Sequence, residues 1–388
     1  MKNTLMKFRI LAIVSALGIT QFSVGQINNA GQDQNAITTA VPFLLISPDS
    51  RSAGLGEAGV ATSPDANSSY WNAGKLVFIE KEYGGSLSYT PWLGKLVNDM
   101  SISYLTGFYK INRESVISSS LKYFDLGEIT FNSGPNPVDI LGVYNPRELA
   151  FDVTYSRKLT ENFSLGITGR YINSNLVGSI SGTDAQAANS VAADIGAFYT
   201  KDYKGAKPSN LSLGASITNI GGKMTYTDDN NKDFIPTNLR FGSAYKREID
   251  AYNSLTFTID FNKLMVPTPN ADSSDQNKEL LGGMFGSFSD APGGAKEEFQ
   301  EITTSIGLEY WYNDIFAARL GYFNESKYKG NRKYFTVGLG FRKKAFGFDV
   351  AYLVPTNKRE SPLAETIRFT LLLQFDKIRA EEEESVTD

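Results

Sequence analysis

The chain has no cysteine and no histidine among its 388 residues. Without cysteine there is no disulfide, no thiolate nucleophile and no iron–sulfur ligand. Without histidine neither a Ser-His-Asp nor a Cys-His system can be assembled, and no imidazole can hold zinc or haem. Catalysis would have to rest on carboxylates, Lys or Tyr. A basic surplus is also missing. Formal charge is −4 and the isoelectric point is near 5.3, which argues against a nucleic-acid partner. Beyond the N-terminus no apolar run approaches the ~18 residues of a spanning helix. Gly54-x-Gly56 lacks the strand–helix setting of a dinucleotide loop.

An export signal is present instead. Lys2, Lys7 and Arg9 precede a short apolar core, Ile10 to Ile19, and Ser23 and Gly25 suit the small-residue positions of a cleavage site before Gln26. Residues 1–25 are thus expected to be a signal peptide, with the mature chain outside the cytoplasm.

From residue 82 onward the dominant hydrophobic period is 2. Ile367, Phe369, Leu371, Leu373 and Phe375 alternate with Thr366, Arg368, Thr370 and Gln374. Phe335, Val337, Leu339 and Phe341 do so with Thr336, Gly338, Gly340 and Arg342. Leu149, Phe151, Val153 and Tyr155 oppose Asp152, Thr154 and Ser156, and Leu255, Phe257, Ile259 and Phe261 oppose Thr256, Thr258, Asp260 and Asn262. Fourteen such segments can be counted, near 82–91, 99–110, 114–124, 147–157, 162–172, 190–200, 210–220, 238–247, 252–262, 301–312, 315–324, 332–342, 346–354 and 365–375. Most have the ~9–11 residues a tilted strand needs to cross a bilayer, where soluble strands stop near five or six. Connections alternate long and short, as in a barrel with tight periplasmic turns and long outer loops.

These features predict an all-β fold: a 14-stranded antiparallel transmembrane β-barrel over 82–376, with an N-terminal plug segment and an acidic periplasmic tail over 377–388. Such a barrel needs apolar residues only on its lipid face, which reconciles a mean hydropathy of −0.24 with a membrane protein. Tyr83, Tyr89, Trp92, Tyr310, Trp311, Tyr312, Phe346 and Phe348 lie near strand ends, where interfacial girdles are expected. Asp152 and Asp260 point inward by parity, suited to pairing with residues such as Arg368 rather than to acid–base chemistry.

Residues 26–81 break the pattern. A polar stretch leads to an apolar patch, Val41-Pro42-Phe43-Leu44-Leu45-Ile46, then to the small-residue run 51–62 and to Tyr70-Trp71-Asn72. An apolar, glycine-rich segment ahead of a barrel reads as a plug in the lumen, with Pro42, Phe43, Leu44, Leu45, Ile46, Arg51, Gly54, Gly56, Trp71 and Asn72 as its principal residues.

The run Pro42 to Arg51, then Gly54 to Asn67, then Tyr70-Trp71-Asn72 resembles the start of the PorV family, outer-membrane barrels of the type IX secretion system within the wider FadL-like group of 14-stranded barrels. One departure is Asn72-Ala73-Gly74, where FadL-like chains carry Asn-Pro-Ala, which would loosen the turn. The resemblance implies a non-enzymatic protein without cofactor or metal. Its implied partners are a giant outer-membrane translocon barrel, cargo proteins with a type IX C-terminal domain, and an attachment complex that includes the PorU sortase, all in contact with outer-membrane lipid. Some relatives are linked to lipopolysaccharide deacylation, which the missing histidine disfavours here.

The long outer loop from Lys263 to Gln300 is the first candidate contact surface. It holds Leu280, Leu281, Met284, Phe285 and Phe288 between acidic stretches, and large apolar residues in a solvated loop call for a partner or for packing on the barrel itself. Loop 125–146, with Phe131, Pro135, Pro137, Ile140, Leu141, Val143 and Tyr144, is a weaker second. Two functions stay open: cargo shuttling with adhesive loops, or FadL-like passage of small hydrophobic molecules gated by residues 41–62.

Overall fold

The strong period-2 alternation leaves little freedom: each such segment must be a strand with one apolar and one polar face. In the computed structural model, which describes residues 35–93, 99–132, 140–176, 186–227, 232–269, 277–356 and 366–376, this is what they form. The strands are β1 (Tyr83–Pro91), β2 (Ser101–Asn112), β3 (Ser115–Asp125), β4 (Ile129–Asn132), β5 (Ile140–Tyr144), β6 (Arg147–Lys158), β7 (Phe163–Asn175) and β8 (Ala188–Tyr203). They continue with β9 (Ser209–Gly221), β10 (Asn238–Glu248), β11 (Asn253–Leu264), β12 (Thr303–Tyr312), β13 (Phe316–Asn324), β14 (Lys333–Lys343), β15 (Phe346–Pro355) and β16 (Ile367–Phe375). Among the described residues fourteen of them close an antiparallel barrel, and β4–β5 form a separate hairpin. Closure is made by β1 against β16, with Tyr83 opposite Phe375 and Leu87 opposite Leu371.

The two faces are inverted relative to a water-soluble protein. Leu87, Leu105, Ile167, Val191, Leu320 and Leu339 are all at least half exposed, while Ser88, Thr154, Thr258, Asp349 and Thr370 are at most 1% exposed. A bilayer solvates the first set, and the second lines a filled lumen. Strand connections sort by end. Residues 113–114, 159–162, 204–208, 249–252, 313–315 and 344–345 are tight turns at one rim. The long loops, including 265–302, all leave the other. By the usual construction of such barrels the long-loop rim faces outward.

Two readings change in detail. Within the 125–146 connection, read from sequence as a loop, β4 and β5 pair as a short hairpin. Of the expected girdle aromatics, Tyr89, Tyr310, Tyr312, Phe346 and Phe348 do face outward. Trp92 instead packs against Phe124 in a luminal apolar cluster, and Trp311 lies under the guanidinium groups of Arg319 and Arg342 at 5.5 Å each. At both positions a better local partner competes with the interface. The proposed signal peptide, residues 26–34 and the acidic tail lie outside the described residues.

Candidate functional site

Residues 35–81 thread the lumen, and polar strand residues hold them at every stage. The Asp49 carboxylate caps the helical turn Ser50–Ala53, accepting from Ser52 N at 2.8 Å, and also accepts from Trp71 Nε1 at 2.6 Å. Burial pushes this carboxyl above its ordinary range, with Asp65 adding to the effect. On one wall Ser50 N donates to Thr370 Oγ1 at 2.9 Å and Gly56 N to Thr336 Oγ1 at 3.0 Å. On another wall Asn72 Nδ2 donates to Ala197 O at 2.9 Å, and Ser216 Oγ to Trp71 O at 3.0 Å. Asn72 Oδ1 also accepts from Gly74 N at 3.0 Å. Its turn is therefore fixed despite the absence of the Asn-Pro-Ala proline.

Arg51 is the central anchor. Its Nη2 and Nε meet Glu309 at 2.8 and 3.0 Å, and its Nη1 meets Asp65 at 3.0 Å. Glu309 also accepts from Arg319 Nε at 2.7 Å, and Arg319 passes on to Asp349 at 2.8 Å, which Arg342 joins at 2.5 Å. Three carboxylates thus offset three guanidinium groups in one buried network. A second joins Arg170 to Asp152 at 2.7 Å and to Asp194 at 3.0 Å. Asp194 sits opposite a bulge in β9, where Asn219 takes up the irregularity and its N donates to Asp194 Oδ1 at 2.7 Å. Asp152 is thus paired as its parity suggested, with Arg170 as the partner. Asp260 serves differently: its Oδ2 accepts from Gly59 N and Val60 N at 2.7 and 2.8 Å. Arg368 pairs with Glu57 at 3.0 Å.

Backbone-to-wall approach explains the small residues on both sides. A Cβ on Gly56, where φ is +69°, would stand 2.6 Å from Tyr322 N, and one on Gly307 would stand 2.8 Å from Leu55 Cβ. The plug lies directly on the strands there, so any side chain would lift it away. Above, toward the long-loop rim, Val41, Phe43 and Leu44 are buried in an apolar cluster with Ile102, Phe124 and Ile172. Leu45 and Ile46 are half-buried, Pro42 is exposed, and all three line a cavity of about 690 Å³ between plug and outer loops.

The described part of the outer loop after residue 276 is pinned by ion pairs. Lys263 reaches Glu301 at 2.5 Å and Glu298 at 3.1 Å. Lys329, from the β13–β14 loop, reaches Glu297 at 2.6 Å and Glu301 at 2.9 Å. Burial would raise the Glu297 carboxyl, but its bonds to Lys329, Gly293 N and Asn35 hold it below its ordinary value. On this frame the helix Leu280–Gly286 divides the candidate residues. Met284 is buried, while Leu281, Phe285 and Phe288 are 61%, 67% and 43% exposed, and Leu280 lies half-buried at the start. Phe299 is 72% exposed as well. Sequence reading passed it over because it stands alone in an acidic run. On the second loop Ile129 and Val143 are exposed, whereas Pro135 and Pro137 lie outside the described residues. Among the described residues no group of acidic side chains is placed to hold a metal ion.

Fold and plug together define an outer-membrane β-barrel whose lumen is crossed by its own N-terminal segment. The chain belongs to the family of the type IX secretion system protein PorV, whose sequence model matches residues 29–271. Similar solved structures include the Pseudomonas putida toluene transporter TodX, at 11% identity over 84% of this chain and 98% of that one, with a TM-score of 0.46. The Ralstonia pickettii toluene transporter TbuX is 12% identical over 84% and 97%, TM-score 0.43. A Pseudomonas aeruginosa FadL homologue is 10% identical over 85% and 98%, TM-score 0.43. No curated protein sequence matches the chain.

Proposed function

We propose that this type IX secretion component is a non-enzymatic shuttle. In this reading it associates with the translocon barrel, receives cargo through the C-terminal signal domain, and hands it to the attachment complex that includes PorU. The observation that carries the reading is the outer loop. Leu281, Phe285, Phe288 and Phe299 project from a segment fixed by Lys263 and Lys329. Exposed aromatic and aliphatic groups on a rigid frame lose little conformational freedom on binding and make effective anchors. Cross-lumen attachment of the plug fits the same reading, since Arg51 and Arg368 tie residues 51 and 57 to the wall. The cavity beside Leu45 and Ile46 favours a second reading, passage of small hydrophobic molecules past residues 41–62.

The test is co-purification from native outer membrane. Changing Leu281, Phe285 and Phe288 together to Ser, with Met284 left intact because it is buried, should abolish recovery of a very large barrel and of cargo. The barrel's own thermal stability should be unchanged. Undiminished co-purification and secretion would sink the proposal.

A further inference from the structure

We propose that the tight-turn rim carries a site for an anionic phospholipid of the periplasmic leaflet, its phosphodiester held between Lys201 and Arg247. The strand registers place the site. Lys201 on β8 lies opposite Leu211 on β9, and Leu211 lies opposite Tyr245 on β10. One outward position nearer the rim, Tyr203 lies opposite Ser209, and Ser209 opposite Arg247. By strand parity all six face outward. Strands on either side of a shared neighbour are about 10 Å apart, so the two cations and two tyrosines stand around a floor of Leu211 and Ser209.

Charge is sorted by face. At this rim the charged strand residues that face outward are Arg157, Lys201, Arg247 and Lys343, and all four are cations. The acids of the corner are engaged elsewhere. Asp202 and Glu248 fall on the opposite face, and Asp202 accepts from Asn210 Nδ2 at 2.7 Å. Asp250 closes its own turn, accepting from Tyr252 N and Asn253 N at 2.9 Å each and from Asn253 Nδ2 at 2.7 Å. Among the described residues no carboxylate lies within ion-pair distance of Lys201 or Arg247. Lys201 Nζ lies over the Tyr203 ring at 5.4 Å. Lys204 and Lys207, in the exposed turn 204–208, add positive charge.

Position in the bilayer gives a second, independent indication. The site stands where the apolar band ends. Above it the outward residues are Ile195, Ala197 and Tyr199 on β8, Leu213 and Ala215 on β9, and Phe241 on β10. Tyr203 and Tyr245 are 44% and 42% exposed, as interfacial tyrosines are. The flank is open as well. The β7–β8 ladder ends at Phe163 opposite Tyr199, and beyond the bond from Thr200 N to Asn162 O no strand covers Lys201 or Tyr203 on that side. A phosphodiester between the two cations forms charge-assisted hydrogen bonds while its acyl chains enter the apolar band. A free phosphate gains only the first of these. Arg157 offers no such pairing, since across β7 it is level with Ala197.

The proposal does not depend on the shuttle reading, because the exposed loop patch lies at the opposite rim. It is tested by native mass spectrometry of the full chain, which resolves individual bound lipids during titration with phosphatidylglycerol or phosphatidylcholine. The first phosphatidylglycerol should bind about tenfold more tightly than the first phosphatidylcholine. Lys201→Gln combined with Arg247→Gln should bring the two lipids to within about twofold. Arg157→Gln combined with Lys343→Gln removes the same charge from the same rim and should leave the preference intact. All four side chains are exposed, so the fold should tolerate both pairs. Equal binding of the two lipids by the wild type, or equal loss of preference in the two double variants, would overturn the site. Displacement of phosphatidylglycerol by excess soluble glycerol phosphate would overturn the lipid as its occupant.

Discussion

The two faces of one strand make an instructive pair. On β14, Phe335, Val337 and Leu339 stand in lipid, and Tyr334, Thr336 and Gly338 stand in the lumen. The outward residues touch a fluid solvent, so their identity matters mainly as hydrophobicity. The inward residues meet a particular plug atom: Gly338 packs on Gly54, and Thr336 accepts from Gly56 N. Outside, composition is enough. Inside, each position has a specific task.

The largest expected effect comes from breaking the inner face. Glu309 is 2% exposed and holds both Arg51 and Arg319. Glu309→Ala leaves two buried guanidinium groups short of a counter-charge, which should cost about 3–5 kcal/mol. Denaturant unfolding of the barrel reconstituted in lipid vesicles would measure it. Limited proteolysis should also show cleavage within residues 51–65, where the wild type is resistant. A loss well under 1 kcal/mol would mean that Arg51 does not anchor the plug.

An outer-face substitution sharpens the contrast. Leu339 lies midway along β14 and is 63% exposed. Leu339→Arg should cost about 2–4 kcal/mol, the depth-dependent penalty for a cation near the bilayer midplane. Leu339→Phe should be nearly neutral by the same unfolding measurement. If Phe costs as much as Arg, the site is packed against protein rather than lipid.

This asymmetry also explains what the sequence could disclose. Lipid-facing strands repeat a single rule, so Ile367, Phe369, Leu371 and their counterparts announced fourteen strands and their parity. Tight turns such as Asn313–Asp314 adopt positive φ at both residues, and their composition marked them. The plug obeys no period. Arg51 was legible as part of a family motif, but its partner Glu309 is 258 residues away, and only closure of the barrel brings the two together. Nor could spacing alone show that Met284 turns inward while Leu281 and Phe285 turn out, because Gly282 and Gly283 allow the apolar run either orientation. The β4–β5 hairpin was missed because its strands span only four and five residues.

The smallest expected effect tests the inner face through pH. Lys75 is 2% exposed, and its ammonium donates to Gly59 O at 2.6 Å and Thr62 Oγ1 at 3.0 Å. Burial lowers it to about 8, with nearby Asp65 opposing and Arg51 reinforcing the shift. A base whose folded value lies below its unfolded value carries its full penalty at pH below about 8. That penalty fades as pH rises toward 10.5, because there the unfolded chain binds the extra proton. Between pH 7 and 9 the gain should be about 1 kcal/mol. Lys75→Met has no proton to lose, so the melting temperature of the wild type minus that of the variant should rise over this interval. A flat difference would show that water reaches the ammonium and that the plug is not sealed there.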